Sequence, residues 1–320
     1  MSEPATILIA DRPFPQGEVY RAWAEQRGVT ILDPRCKTED ELAPHVGKAD
    51  VIIASFLRLT EKSISQARRC RLLMAQGIGY NHIDVEAAKR HGIPVTNNPG
   101  WSAEEVAEHT IGLLFASVLQ IERASRHLHA GEWPREHLAP IPRIKGRTLG
   151  LVAFGRIARN VAERARGLGL RVIAVDPYVD EASMRACGVE KRASLEDLLA
   201  QADFVSCHTP LMPETTRLFN EARFRAMKPD AYFINTARGA VMDEAALVRA
   251  VEEGWIRGAA VDVYEVEPLP ADSPLRRVDN IVLTAHQAGS SIEAYRYGQE
   301  LIVQEIDRLL SGQPLQNRVA

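Results

Sequence analysis

The chain is poor in the features that would staple it, anchor it or charge it for a polyanion. It has four cysteines (Cys36, Cys70, Cys187 and Cys207), scattered and without a CxxC pair. That argues against a disulfide framework and for reduced, mostly structural thiols in a cytoplasm. Lysine and arginine do not outnumber the acids, and the formal net charge is −3, so there is no basic footprint for nucleic acid. No apolar run reaches the ~18 residues of a membrane-spanning helix. The opening residues, MSEPATILIA, enter a strand-like run directly, without the charged start and apolar core of a signal peptide. No segment is low-complexity, and the halves share no internal repeat. His127, His129 and His137 lie close in sequence but have no metal-like partners, so no metal is expected. These absences predict a cytoplasmic protein with neither nucleic-acid nor membrane partners.

What is present is ordinary for a soluble globular chain: 320 residues, 46% hydrophobic and 25% charged, enough for two domains. Residues 1–100 alternate short Ile/Val/Leu runs (6–10, 29–32, 50–55, 71–76, 93–96) with helix-like segments (18–26, 60–69, 85–90). Repeated βα units predict a parallel sheet with helices on both faces. No glycine-rich loop follows the first run, where Asp11-Arg12-Pro13 stands, so no nucleotide is expected there. Residues 76–80 (QGIGY) follow a strand, and their two glycines let bare backbone N–H groups face an anion; a plain tight turn is the competing reading. Asn97-Asn98-Pro99-Gly100 is a strong breaker. After it, Ser102-Ala103-Glu104-Glu105 makes a capping-box start to a single long helix through about Leu128. Residues 129–147 read as an extended arm.

From 149 the alternation resumes, with strand-like runs at 149–154, 171–175, 203–208, 231–235, 259–263 and 281–284. Residues 149–176 give strand, tight turn, helix, strand and acid, the order of a dinucleotide-binding βαβ unit. Asp176 follows Gly155 by 21 residues, near the ~20 expected. A carboxylate there accepts from ribose hydroxyls and repels a 2′-phosphate, favouring NAD over NADP. The G-x-G-x-x-G pattern survives only in its middle glycine, with Ala153 and Ala158 at the outer positions. Taken alone, this unit also admits another nucleotide-like ligand, such as S-adenosylmethionine, or a purely structural role. The final segment, 291–310, is amphipathic.

Three polar residues follow strand-like runs and should gather at one sheet edge: Arg238, Glu267 and His286. Singly, each reads as a surface ion pair, a solvated acid or a satisfied loop histidine. Together they suit acid/base work on a carboxylate-bearing substrate. Arginine grips a carboxylate with two prongs, histidine exchanges a proton with an oxygen, and the acid orients the histidine.

With these residues in view, the chain resembles the NAD-dependent D-2-hydroxyacid dehydrogenase family. The resemblance runs through QGIGYNHID (76–84), VTNNPGWSAEEVAEHT (95–110), GRIA and VDPY (155–178), CHTPLMPETT (207–216), MKPDAYFINTARGAVMDEAAL (227–247), AAVDVYEVEP (259–268) and TAHQAG (284–289). The wording lies closest to the C-terminal-binding-protein branch. The resemblance implies two doubly wound α/β domains. One is a flavodoxin-like substrate domain from 1–101 and 291–320. The other is a Rossmann NAD-binding domain over 102–290, with a dimerisation arm at about 103–147 and a homodimer. It implies NAD as cofactor and a small 2-oxo or 2-hydroxy acid as substrate, exchanged by reversible hydride transfer. Arg238 would clamp the carboxylate with the Ile78 and Gly79 amides, and His286 would be the acid/base with Glu267 as partner. Phe154, Gly155, Arg156 and Ile157 would line the pyrophosphate. Asp176 would bind the ribose, and Thr209 and Pro210 would flank the adenine side. Ala237 and Asp262 would border the nicotinamide, and His109, Thr236, His286 and Ala288 would add cofactor contacts. Ala285 departs from the family's proline before the histidine. The alternative is a dimerising binding protein that senses NAD with little turnover. Formate oxidation fits less well, because formate enzymes of this superfamily carry glutamine where Glu267 stands.

Overall fold

Strands buried at every position call for mostly apolar residues, as in Val51–Ala54, Leu72–Ala75 and Gly258–Val261, and their few polar members, Thr148, Ser206 and Asn235, are buried as well. This computed structural model describes residues 4–11, 17–133 and 140–320. The chain divides into two compact units, Met1–Ser102 with Ser290–Ala320, and Ala103–Gly289.

The first unit holds β1 (Thr6–Ile9), β2 (Thr30–Leu32), β3 (Val51–Ala54), β4 (Leu72–Ala75) and β5 (Val95–Thr96). They pair in parallel in the order β2-β1-β3-β4-β5, the flavodoxin-like winding. The Ile292–Leu310 helix starts on Ser291, whose hydroxyl accepts from the Ala294 amide at 2.8 Å. Its Ile302, Val303 and Ile306 join a core with Ile7, Ile9, Val51, Ile53, Leu72 and Met74. The last residues run back beside β5, with Val319 N–H donating to Val95 O at 2.8 Å and Asn97 N–H to Asn317 O at 3.2 Å.

The second unit holds β6 (Thr148–Val152), β7 (Arg171–Val175), β8 (Glu190–Lys191), β9 (Phe204–Cys207), β10 (Tyr232–Asn235), β11 (Gly258–Val261) and β12 (Ile281–Leu283). Their parallel order is β12-β11-β10-β9-β6-β7-β8. This is the Rossmann winding with one more strand, and its direction reverses between β6 and β9. In open sheets of this kind, ligands bind beyond the C-terminal strand ends at such a reversal.

The structure corrects the sequence reading in several places. The single helix expected through Leu128 is two, Ala103–Val118 and Ile121–His129, because Gln120 takes a left-handed φ of 55° that no helix continues through. The helix expected over 60–69 closes after one turn, Glu61–Ile64. Two short helices, Glu39–Val46 and Glu181–Ala186, and the edge strand β8 were not anticipated; they are brief and largely polar. Part of the expected arm (134–139, with His137) lies outside the described residues, as do Arg12 and Pro13. Among the described residues no helix is long and apolar enough to cross a membrane.

Candidate active site

The C-terminal ends of β6, β7, β9, β10, β11 and β12 carry nearly every polar residue singled out from the sequence. After β6, Gly155 is the N-cap of the Arg156–Gly167 helix, with no side chain capping that end. A β-carbon built on Gly155 meets nothing within 4 Å. Packing therefore does not demand glycine there; what it leaves is open space over helix-start amides, as a phosphate needs. Ala158 is fully buried where the helix packs. Ala153 occupies the first fingerprint position with φ at 74°, a conformation glycine adopts freely and an L-residue holds at a cost of about 1–2 kcal/mol.

Asp176 ends β7. Its Oδ2 accepts from the Phe154 amide and its Oδ1 from the Tyr178 amide, both at 2.8 Å. The turn and the acid are thus one bonded unit. The Phe154 ring is buried in the core and its N–H donates to Asp176. Gly155, Arg156 and Ile157 remain at the helix start. Thr209 is buried and Pro210 exposed after β9. An open glycine, uncapped helix amides and an oriented acid at the next strand end together fit a dinucleotide.

The charged trio is set by short loops. Asn235, at the end of β10, accepts from the Ala237 amide on Oδ1 and donates from Nδ2 to Arg238 O, both at 3.0 Å. Next comes Gly239, where a β-carbon would lie 1.9 Å from the Tyr264 carbonyl carbon and 2.4 Å from the Glu265 nitrogen. The loop bearing Arg238 therefore rests directly on the loop bearing Glu267. Arg238 Nη1 donates to Ala237 O at 2.6 Å. Burial lowers the guanidinium's pKa against the pull of Glu267, but arginine stays charged.

Glu267 Oε1 accepts from the Tyr264 amide at 3.0 Å, and Oε2 lies 2.6 Å from His286 Nδ1. Burial pushes the carboxyl up, yet the hydrogen bond and charge of His286, the Tyr264 amide and the Arg238 charge outweigh it. The net pKa falls below the ordinary 4.5, so Glu267 is an anion at neutral pH. His286 itself has φ of 47°, the kind of strained backbone that persists only where surroundings impose it. Here Asp262 imposes it. Its carbonyl accepts the His286 amide at 2.8 Å. Its fully buried carboxylate accepts from Thr284 Oγ1 (2.5 Å), the Gln287 amide (3.0 Å) and the Ala288 amide (2.9 Å). Burial raises that carboxyl, but these bonds and His109 hold it below its usual value. His109 Nε2 lies 3.0 Å from Thr284 Oγ1 and 3.5 Å from Asp262 Oδ1. His109, Asp262 and Ala288, expected at the cofactor, thus form one bonded patch under the His286 loop. Thr236 Oγ1 is 3.0 Å from Thr110 Oγ1 and buried. Ile78 and Gly79 belong to the first unit, in the loop after β4.

Three residues escaped the sequence reading. Gly239 is required by the contact just described. Tyr264 supplies the amide to Glu267 and donates its hydroxyl to Thr284 O at 2.7 Å. His208 directly follows β9, gives its N–H to Val152 O at 2.9 Å and sets Nε2 2.9 Å from Ser206 Oγ. Burial pushes its pKa down to about 4, so it is neutral at physiological pH. Only His208 had a sequence signal, its place after an apolar run.

Comparison with known proteins accords with this geometry. The family model described as D-isomer specific 2-hydroxyacid dehydrogenase, NAD binding domain, matches residues 111–288. A D-3-phosphoglycerate dehydrogenase of Methanocaldococcus jannaschii is 38% identical over 283 residues, covering 88% of this chain and 54% of that protein. The chain spans little more than half the length of that relative. A glyoxylate reductase of Thermofilum pendens is 36% identical over 286 residues, 86% of this chain and 83% of that one. The apo-structure of D-lactate dehydrogenase from Escherichia coli superposes with a TM-score of 0.85 at 26% identity, covering 99% of this chain and 100% of that one. With two parallel doubly wound sheets, a dinucleotide turn at 153–158 and this match, the chain belongs to the D-isomer specific 2-hydroxyacid dehydrogenase family and carries its NAD-binding domain.

Proposed function

We propose that this protein is an oxidoreductase that reversibly reduces a small 2-oxo acid to a D-2-hydroxy acid with NADH. The observation that carries the reading is the 2.6 Å pair of His286 Nδ1 and Glu267 Oε2, with the half-buried Arg238 cation acting on Glu267, on the sheet edge that bears the dinucleotide turn. In this reading Gly155, Arg156 and Ile157 receive the pyrophosphate and Asp176 the adenosine ribose, with Thr209 and Pro210 on the adenine side. Thr236, Ala237 and the patch of His109, Asp262 and Ala288 border the nicotinamide. Bound NADH supplies the hydride. Arg238 grips the substrate carboxylate, and the Ile78 and Gly79 amides are assigned to it as further donors. His286, protonated and held through Nδ1 by Glu267, gives a proton from Nε2 to the carbonyl oxygen; in the reverse direction it takes one from the hydroxyl. Glu267 stabilises the imidazolium throughout, as an anion does for a neighbouring cation.

The test is NADH oxidation at 340 nm with glyoxylate, hydroxypyruvate and phenylpyruvate. Turnover of at least one is expected, with NADPH the poorer donor because Asp176 repels a 2′-phosphate. No turnover across a wider panel of 2-oxo acids overturns the reading. We also propose a cytoplasmic homodimer joined through the arm at about 103–147. Exposed Ile121, Leu128, Trp133 and Ile141 in that region support the dimer, and light scattering across a concentration series tests it.

A further inference from the structure

We propose that Asn97 and Asn98 aim the Ile78 and Gly79 amides at the substrate carboxylate, and that the returning C-terminal segment (313–320, here the return strand), tethered by Glu305, holds Asn97 in place to do so. The inference rests on the assignment of those amides made above. All its parts lie within the first unit.

The geometry follows from the planarity of the peptide. In a trans peptide the C=O and the next N–H point to opposite sides. Gly77 O shares its plane with the Ile78 N–H, and Ile78 O with the Gly79 N–H. Asn98 N–H donates to Gly77 O at 2.9 Å, and Asn97 Nδ2 donates to Ile78 O at 2.7 Å. Both carbonyls are thus drawn toward one dipeptide, so both amides are turned away from it. Successive amides turned outward form a concavity for an anion. Among the described residues, neither amide donates to a backbone acceptor. Asn98 is buried and anchors the loop further, its Nδ2 donating to Gln76 O and Gly298 O, both at 3.1 Å.

Asn97 needs support, because it follows β5, a strand of only two residues. An edge strand that short holds poorly by itself. The return strand supplies the support: Asn97 N–H donates to Asn317 O at 3.2 Å. The return strand is pinned in turn, since Glu305 Oε1 accepts from the Gln316 and Asn317 amides at 2.8 and 2.9 Å. Glu305 is 1% exposed, so this carboxylate is committed to the tether. Asn97 and Glu305 are positioning residues; neither is assigned to the substrate.

The experiment compares the full-length protein with its Asn97→Ala variant, measuring KM for the best 2-oxo acid, KM for NADH, melting temperature, and oxamate affinity of the NADH-loaded protein by calorimetry. Loss of one aligning hydrogen bond should raise KM for the oxo acid about 3- to 10-fold and weaken oxamate by the same factor. KM for NADH and kcat should stay within about twofold. Glu305→Ala should shift both acid readouts in the same direction, and Glu305→Gln, which keeps an oxygen acceptor, should restore them. Should Asn97→Ala melt well below wild type, Asn97→Ser, whose hydroxyl is too short to reach Ile78 O, carries the same test. Unchanged oxo-acid KM and oxamate affinity, or an equal loss toward NADH, overturns the inference and leaves the proposed function standing. A wild type that neither turns over a 2-oxo acid nor binds oxamate overturns both.

Discussion

Gly239 and Tyr264 touch backbone to backbone: a methyl group on Gly239 would lie 1.9 Å from the Tyr264 carbonyl carbon. The loops that present Arg238 and Glu267 are therefore spaced by main chain, which cannot move aside as a flexible side chain can. Gly239→Ala should force them apart, costing about 1–3 kcal/mol of stability as overpacking does and at least about tenfold in kcat/KM through the 1 Å-scale displacement of both groups. Thermal unfolding and steady-state kinetics check this together; wild-type values in both would show that the contact positions nothing.

His286→Ala should lower kcat by about 10²–10⁴, the usual worth of a placed proton donor, while NADH affinity measured by fluorescence titration stays within about twofold. Glu267→Gln should cost less, because the imidazolium loses its anion but the imidazole remains. A His286 variant that retains full turnover would remove it from the mechanism.

Arg238→Lys keeps the charge and loses the fork. An ammonium cannot make the two-pronged grip, so KM for the oxo acid should rise at least about tenfold, more than kcat falls. An unchanged KM would mean that Arg238 does not hold the carboxylate.

Ala153→Gly should stabilise the protein. The residue sits at φ 74°, where glycine relieves about 1 kcal/mol of strain. Against that, glycine adds some freedom to the unfolded chain. The net expected gain is a rise in melting temperature of about 1–3 °C, with NADH affinity equal or tighter. A lower melting temperature would show that the left-handed turn is not under strain.

Acid should weaken the site in a defined order. Glu267 and Asp262 both hold protons less tightly than carboxyls ordinarily do at 4.5 and 3.8. Their contribution to stability is therefore complete above those ordinary values and is lost as pH falls through the lower, folded ones. Melting temperature followed from pH 6 to pH 3 should drop along that path, and Glu267→Gln should flatten its upper part. Equal slopes in the two proteins would contradict the assignment.

The fold class was legible because its signal is local: short runs of Val, Ile and Leu, alternating with helical periodicity, can only become parallel strands with crossover helices. Winding order added what local pattern could not, placing β9 beside β6 and so drawing His208 to the dinucleotide turn. The Gln120 break was invisible, since apolar residues run on both sides of it and only one backbone angle interrupts them. The resemblance placed 291–320 in the first unit, but the pairing of residues 313–320 beside β5 had no local signal: they carry no alternation, and the pairing depends on Glu305 and β5, distant in sequence. Gly239 looked like any loop glycine until Tyr264 was seen against it.

The first unit is assembled from two stretches of chain that flank the second unit in sequence. During synthesis, β1, β3 and β4 emerge with Ile7, Ile9, Val51, Ile53, Leu72 and Met74 on a face that Tyr20, Trp23 and Ala24 cover in part and that Ile302, Val303 and Ile306 complete only later. The inserted unit, complete by Gly289, can finish first, as continuous domains do. Until the Ile292–Leu310 helix emerges, this sheet is half-roofed, and its exposed apolar face is the part of the nascent chain most open to wrong partners.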